Sequence, residues 1–301
     1  MAAYYNNDTM LYLDGAYVKA SEAKIDLYSQ TMHYGYGVFE GIRAYRTENG
    51  ETKIFKPVEH YVRLERSARF LNLPYTYTVE ELIEATYKVL ELNNLQDAYI
   101  RPLVYAPANM SFVPNTESHI TIQVWAMQPF LGEKLLRVMT SSYQRPNPKG
   151  FHIEAKASGH YVNSILASQE AKANGFDEAL LNDMDGNIAE GPGANIFYEK
   201  FGRLYTPSTG NILPGITRAT VFELAAQMGV EVVEKQFTTA ELQTADAAFF
   251  CGTAAEVIGW ESLDNTAFAN NWNDSIGKQI QLAYKALVTE SSIKETLKEL
   301  A

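Results

Sequence analysis

The stretch E-A-K-A-S-G-H-Y-V-N-S-I-L, residues 154–166, sets Lys156 among alanine, serine and glycine, with Glu154 as its nearby charge. Most other lysines explain themselves as solvated: Lys53 and Lys56 follow a turn, Lys88 lies on an amphipathic segment, and Lys294 and Lys298 belong to a charged tail. Small neighbours let a bulky group come close, and partial burial disfavours a charged amine, which is the direction a nucleophilic amine requires. Local pattern alone leaves two readings open, a surface-loop lysine beside a helix start and a nucleophile. Downstream, H-Y-V-N-S-I-L-A-S-Q-E-A-K-A-N-G predicts a helix that stops at Gly175.

Outward from that helix the chain reads as a mixture of strands and helices. T-M-L-Y-L-D-G-A-Y-V-K-A alternates around Asp14-Gly15, a pair that favours a two-residue hairpin. The strand-like runs V-F-E-G-I-R-A-Y-R and T-K-I-F flank Glu48-Asn49-Gly50 and predict a second hairpin. Apolar residues at three-to-four spacing predict helices near 58–71 and 79–92, and A-Y-I-R-P-L-V-Y-A and H-I-T-I-Q-V-W-A-M read as strands. These elements make a first domain, 1–130, followed by a connector at 131–134 and a second domain, 135–301. In the second, E-A-L-L-N-D, A-N-I-F-Y-E-K, E-V-V-E-K-Q-F and A-A-F-F-C-G read as strands, with a helix from Thr217 to about Met228. The expected class is α+β with two domains.

Length supports that division, since 301 residues exceed the roughly 150 of a typical domain, and 46% hydrophobic content suffices for two cores. No run approaches the roughly 18 apolar residues of a membrane span, and the first 30 residues are too polar for a signal peptide, so the expectation is a soluble, cytoplasmic protein. One cysteine, Cys251, rules out an internal disulfide and a Cys-rich zinc site, and it reads as a small buried strand residue. With 25 basic against 36 acidic residues the net charge is −11, and no basic cluster carries interleaved aromatics. Nucleic acid is therefore not an expected partner.

Three glycine-bearing turns bear on phosphate binding. H-Y-G-Y-G-V-F-E-G, with Gly35, Gly37 and Gly41, has no strand before it and is not a dinucleotide fingerprint. In N-I-L-P-G-I-T-R-A-T, Pro214-Gly215 forms a turn and Ile216-Thr217 open a helix, so free N–H groups and a hydroxyl meet at a positive helix end. F-F-C-G-T-A-A-E ends a strand at Gly252 and offers Thr253 with the amides after it. For either of the last two, taken alone, an ordinary cap is the commoner reading.

Six motifs occur in order: H-Y-G-Y-G-V-F-E-G-I-R-A-Y (33–45), Y-I-R-P-L (99–103), K-A-S-G-H-Y (156–161), E-G-P-G-A-N-I-F (190–197), L-P-G-I-T-R (213–218) and G-T-A-A-E-V (252–257). Together they resemble the branched-chain amino acid aminotransferases, pyridoxal 5′-phosphate enzymes of fold type IV, over nearly the whole chain. The resemblance implies a transaminase moving the amino group between leucine, isoleucine or valine and 2-oxoglutarate. It also implies small-molecule amino acid and 2-oxo acid partners and a homodimer or larger homo-oligomer.

By the same resemblance Lys156 carries the cofactor aldehyde covalently and then moves the proton at the substrate α-carbon, while Glu190 faces the pyridine nitrogen and keeps it protonated. Tyr161 matches the phenol at the cofactor O3′. Phosphate ligation carries over to Arg63, Ile216, Thr217 and Thr253; by pattern alone Arg63 is one of three surface arginines with Arg66 and Arg69. Tyr34, Phe39, Tyr99, Arg101 and Phe130 match substrate-pocket positions, with Arg101 expected to receive glutamate's distal carboxylate, and Thr253 and Ala254 supply amides to the α-carboxylate. The chain departs from the family pattern at Ala194, where relatives often carry an acid, at Phe130, where many bacterial relatives have tyrosine, and at His160, where asparagine is common. D-amino acid aminotransferases and aminodeoxychorismate lyases share the lysine and glutamate; F-E-G-I-R-A-Y with Y-I-R-P-L favours the branched-chain type. A catalytically silent binding protein is a further alternative, which the intact Lys156, Glu190 and Arg63 disfavour.

Overall fold

A computed structural model of the chain describes residues 4–127 and 134–292. Within it the Asp14-Gly15 pair forms the predicted tight hairpin: Leu13 lies opposite Ala16, and both turn residues have positive φ, 45° and 89°. That hairpin joins β1 (Met10–Leu13) to β2 (Ala16–Lys19). After the short α1 (Gln30–Tyr34) come β3 (Gly37–Phe39), β4 (Ile42–Arg46), β5 (Thr52–Ile54), α2 (Pro57–Phe70), α3 (Val79–Leu92), β6 (Ala98–Tyr105) and β7 (His119–Trp125). The sheet runs β2-β1-β7-β6-β4-β5, with β3 also paired to β6. One helical face of α2 and α3 buries Tyr61, Leu64, Ala68, Leu82 and Val89 with Val38, Ile42, Ile100, Val104 and Ile122. Thr78 and Glu81 close a capping box at the start of α3, which explains its sharp beginning.

The run V-F-E-G-I-R-A-Y-R, read as one strand, is two. Phe39 pairs with Leu103 on β6 and Ile42 with Ile100, so the chain steps along β6 across Glu40-Gly41. Gly41 is required at the step, because a Cβ there would lie 1.9 Å from the Tyr99 hydroxyl.

A second compact unit starts at Pro129. Its described elements are β8 (Leu136–Gln144), α4 (Tyr161–Ala173), β9 (Glu178–Asn182), β10 (Ile188–Glu190), β11 (Asn195–Lys200), β12 (Arg203–Thr206), α5 (Ile216–Gln227), β13 (Val232–Glu234), α6 (Thr239–Leu242), β14 (Ala247–Gly252), β15 (Glu256–Leu263), β16 (Thr266–Ala267) and α7 (Ile276–Thr289). The strands order as β10-β9-β8-β15-β14-β11-β12-β13, with β16 on β15. Two crossovers are parallel, β8 to β9 through α4 and β12 to β13 through α5. The β12 crossover brings the α5 N-terminus to the end of the Pro214-Gly215 turn. Cys251 is fully buried on β14, where burial pushes its thiol up to about 12 against a weaker opposing pull from Arg218, in keeping with an inert core residue.

The sequence reading puts all of 135–301 in the second domain, whereas Ala155–His160 groups by contact with the first unit. Its partners there are specific. The Phe39 N–H donates to the Lys156 carbonyl at 3.0 Å, Val38 and Ala157 form an isolated bridge, and the Gly159 N–H donates to the Gly35 carbonyl at 3.0 Å. Gly35, at φ 66°, comes so close that a Cβ on it would lie 2.7 Å from the Gly159 Cα. Of the predicted connector, 131–133 lies outside the described residues, as does Phe130.

Candidate active site

Lys156 is partly buried and its main chain is held on both sides. Besides the bond from Phe39, its own N–H donates to the Ser67 hydroxyl at 3.1 Å, and Ser67 is fully buried on α2. Its Nζ lies 5.1 Å from the centre of the Phe39 ring. Arg101 approaches the same ring, its Cζ 4.6 Å from the centre, so an amine and a guanidinium share one aromatic partner. Tyr99 and Arg101 are two residues apart on β6 and point to one face, opposite the face that carries Ile100 and Val104 into the core. Trp125, opposite Tyr99 on β7, joins them: its ring centre is 5.0 Å from that of Tyr99 and 5.7 Å from the Arg101 Cζ. The result is an aromatic wall around two cationic groups.

Arg101 is under-used in that wall. Its Nη2 donates to the Tyr99 hydroxyl at 3.3 Å, its buried Nε has no partner among the described residues, and no carboxylate there pairs with it. A buried guanidinium donor left open in an otherwise apolar enclosure is suited to an incoming anion. Tyr34 is placed differently. Its side chain is half exposed, 5.8 Å from the Phe112 ring, and lines a hollow with Gln30, Tyr36, Asn72 and Phe112.

Arg63 stands apart from the two arginines it resembles in sequence. Arg69 is exposed and pairs with Glu65 one turn away, and Arg66 is exposed beside Phe70, whereas Arg63 is buried against Glu40. Its Nε donates to Glu40 Oε1 at 2.7 Å and its Nη2 to Glu40 Oε2 at 2.8 Å. The His60 Nδ1 lies 2.7 Å from the same Oε2. Burial works against the Glu40 charge, but the Arg63 guanidinium and then His60 hold this carboxyl far below the ordinary range. Burial also lowers the pKa of His60, against the pull of Glu40, which favours a neutral ring donating Nδ1–H.

In the second unit, Glu190 ends β10, nearly fully buried. Three donors surround its carboxylate: Arg145 Nη2 at 2.9 Å from Oε1, Asn195 Nδ2 at 3.2 Å from Oε2, and the Leu213 N–H at 3.2–3.3 Å from both oxygens. Asn195 also donates to the Leu213 carbonyl at 3.0 Å, tying the turn after Glu190 to the loop before α5. Ala194, read from the sequence as a departure from the family pattern, packs against the apolar core; Arg145 and Asn195 contact Glu190. Neither is singled out by the sequence reading, although the signal for Asn195 is present in its place within E-G-P-G-A-N.

α5 opens at Ile216 behind Gly215, which contributes no side-chain cap, so the first N–H groups of a twelve-residue helix face outward with the buried Thr217 beside them. Thr253 and Ala254 lie, with Ala255, in the turn that links β14 to β15. Tyr161 begins α4, partly buried, and His160 is buried in the 3₁₀ turn before it. Among the described residues no group of His, Cys, Asp and Glu is arranged to hold a metal ion, and no helix is long and apolar enough to cross a membrane.

A family model described as amino-transferase class IV matches residues 37–263. The branched-chain-amino-acid aminotransferase of Pseudomonas aeruginosa is 40% identical over 290 residues, 94% of either chain. The solved branched-chain aminotransferase of Thermoproteus uzoniensis, in its structure with norvaline, superposes with a TM-score of 0.91 at 35% identity, covering 96% of this chain and 97% of that one. The branched-chain amino acid aminotransferase of Thermobaculum terrenum, solved in its PLP-bound holo form, gives a TM-score of 0.89 at 33% identity over 97% of each chain. A family model spanning most of the sequence, and relatives of this identity over nearly all of it, show the family: the chain belongs to the amino-transferase class IV family and is an aminotransferase of fold type IV.

Proposed function

We propose that the chain is a pyridoxal 5′-phosphate-dependent transaminase that moves the amino group between branched-chain L-amino acids and 2-oxoglutarate, with Lys156 as its catalytic residue. One observation carries the reading: the amine of Lys156 and the guanidinium of Arg101 lie against the same Phe39 ring, inside an aromatic wall completed by Tyr99 and Trp125. Apolar rings suit a branched aliphatic side chain, and the open guanidinium suits glutamate's distal carboxylate. The residues also fit the cofactor: a buried carboxylate already held by three donors suits a pyridinium, and an uncapped helix start with a buried threonine suits a phosphate. When bound, the cofactor supplies an aldehyde to take up the amino group and a ring to spread the charge left on the substrate α-carbon.

In this reading Lys156 Nζ would hold the cofactor's aldehyde carbon and, once free, would move the proton between the substrate α-carbon and that same cofactor carbon. Glu190 holds a proton on the pyridine nitrogen, and the Tyr161 hydroxyl orients the cofactor's O3′. Arg63, the Ile216 N–H, Thr217 and Thr253 bind the phosphate. Phe39 and Tyr99 shape the substrate side, and the Thr253 and Ala254 amides take the α-carboxylate. The reading keeps a smaller domain through residue 130 and a larger one from 135, and the 155–160 segment groups by contact with the first compact unit. A cytoplasmic location fits the single, inert cysteine.

The holoenzyme tests the reading by half-reaction: L-leucine and L-glutamate, added separately, should each discharge the cofactor's visible band, and D-alanine should leave it. Discharge by D-alanine alone would move the chain to the D-amino acid aminotransferases, and no discharge by any amino acid would rule out transamination. For Arg101→Leu the expected result is a KM for glutamate and 2-oxoglutarate raised about ten- to a hundredfold, the value of a charged hydrogen bond, with the leucine half-reaction changed only about twofold. Equal losses for both substrates would point to a folding or cofactor defect and withdraw the dual-recognition role.

The first unit also carries Leu27, Tyr28, Met32, Phe112 and Val113 as exposed large side chains, Phe112 being 90% exposed. The segments are stitched together by an isolated Ser29–Ala108 bridge and by the Asn109 N–H donating to the Tyr28 carbonyl. Side chains of this size standing together in water favour association, and the reading therefore includes a homodimer or larger homo-oligomer. Sedimentation should return at least twice the mass of the chain; a monomer at micromolar concentration would remove this part.

A further inference from the structure

Phe39, Glu40 and Gly41 occupy the step between β3 and β4, and each does something different there. The Phe39 N–H holds the Lys156 carbonyl, Gly41 makes room for the Tyr99 ring, and Glu40 turns its carboxylate onto Arg63. The backbone of the step is fixed by the Glu40 N–H donating to the Pro102 carbonyl at 2.9 Å. The carboxylate itself is fixed on its far oxygen by His60 at 2.7 Å and the Gly41 N–H at 3.3 Å. Glu40 is fully buried, and its contact with Arg63 takes the Nε–Nη2 edge of the guanidinium, the edge that sets the plane of the group.

A buried ion pair is weak grounds for stability, because the cost of taking both charges out of water offsets their attraction. An arginine that must present a planar fork to a phosphate gains from having that plane set beforehand, since a long side chain otherwise loses its rotamer freedom on binding. α2 reinforces the arrangement: His60, Arg63 and Ser67 lie at i, i+3 and i+7 on one buried face, so the helix that carries Arg63 also carries the hydroxyl that receives the Lys156 N–H. We infer that Glu40 is a positioning residue for cofactor binding, holding Arg63 in the orientation that receives the cofactor phosphate while its own backbone step holds the Lys156 loop. The inference rests on the phosphate role given to Arg63 above.

A simple charge argument gives the opposite sign. Removing an anion from beside Arg63 leaves it more positive and should tighten phosphate binding, whereas loss of orientation should loosen it. The test uses the full chain, stripped of cofactor, and compares the affinity for pyridoxal 5′-phosphate with that for pyridoxal, which lacks the phosphate. In Glu40→Gln the preference for the phosphorylated form should fall about tenfold or more, as when the group that orients a binding residue is lost. Arg63→Met should lose the same preference. The double variant should match Arg63→Met within about threefold, because two residues that act as one unit do not add.

An equal loss for both ligands in Glu40→Gln would mark a merely structural role, and an unchanged or increased preference would mark the charge effect; each overturns the inference while Arg63→Met keeps its own loss. A full preference retained in Arg63→Met would overturn the phosphate assignment, and the inference with it. Should Glu40→Gln not fold, Glu40→Asp keeps the charge but withdraws it by one methylene, and the same ratio decides.

Discussion

Lys156→Ala is expected to abolish transamination, with kcat/KM down by at least about 10⁴-fold, since general acid–base transfer alone contributes up to about that factor and the covalent route is lost as well. The variant should nonetheless fold. What fixes the 155–160 segment is its backbone, through Phe39, Ser67 and Gly35, and none of those bonds uses the lysine side chain. The amine gives up its approach to the Phe39 ring, a contact worth about 0.5–1 kcal/mol at a partly exposed position. Pyridoxal 5′-phosphate should still bind, but wash out on dialysis. In the unaltered protein, borohydride reduction followed by peptide mapping should put the cofactor on the peptide that contains Lys156. A label on any other lysine would end its assignment as the catalytic residue.

That lysine is legible because its neighbours are small, but what holds it is not. Phe39 and Ser67, which bond its backbone, lie far back in the sequence, and no local period points to them. The same distance explains why 155–160 reads as part of the second domain and packs with the first. Local patterns serve well where the determinant is local: the Asp14-Gly15 hairpin, the amphipathic α2 and α3, and the Gly175 stop of α4 all follow from turn chemistry or from a 3.6-residue period. They fail at Glu40-Gly41, where one strand-like run becomes two because Tyr99 fills the space beside Gly41. E-V-V-E-K-Q-F likewise shrinks to Val232–Glu234, since only those residues find β12 to pair with.

Arg63 cannot be told from Arg66 and Arg69 by helical position in the sequence, yet a signal exists in Glu40. A glutamate inside V-F-E-G-I, flanked by residues that must enter a core, requires a buried cation, and the nearest basic side chain on a buried helix face supplies it. Arg145 gives no comparable signal. It sits between a strand and a proline-containing loop, and only the fold brings it to Glu190.

For Glu190→Gln the expected result separates binding from chemistry. Donors reach both oxygens of the carboxylate: Arg145 Nη2, Asn195 Nδ2 and the Leu213 N–H. Such a shell fits an acceptor-only anion, and a glutamine must turn its own NH₂ toward at least one of those donors while leaving Arg145 without its counter-charge. The fold should lose about 1–3 kcal/mol for the unmade bond, visible as a lower melting temperature. Chemistry should suffer in addition, because a neutral amide cannot hold the proton on the pyridine nitrogen that lets the ring take up charge from the substrate α-carbon. A charged hydrogen bond worth about 1.5–3 kcal/mol, expressed fully in the transition state, corresponds to a rate loss of about ten- to a hundredfold. Cofactor affinity should change far less than that, since the phosphate contacts and Lys156 are untouched. Single-turnover rates with L-leucine, measured beside a cofactor titration, make the comparison directly. A near-normal single-turnover rate would take Glu190 out of the mechanism and leave its three donors as a purely structural device joining the turn after β10 to the loop before α5.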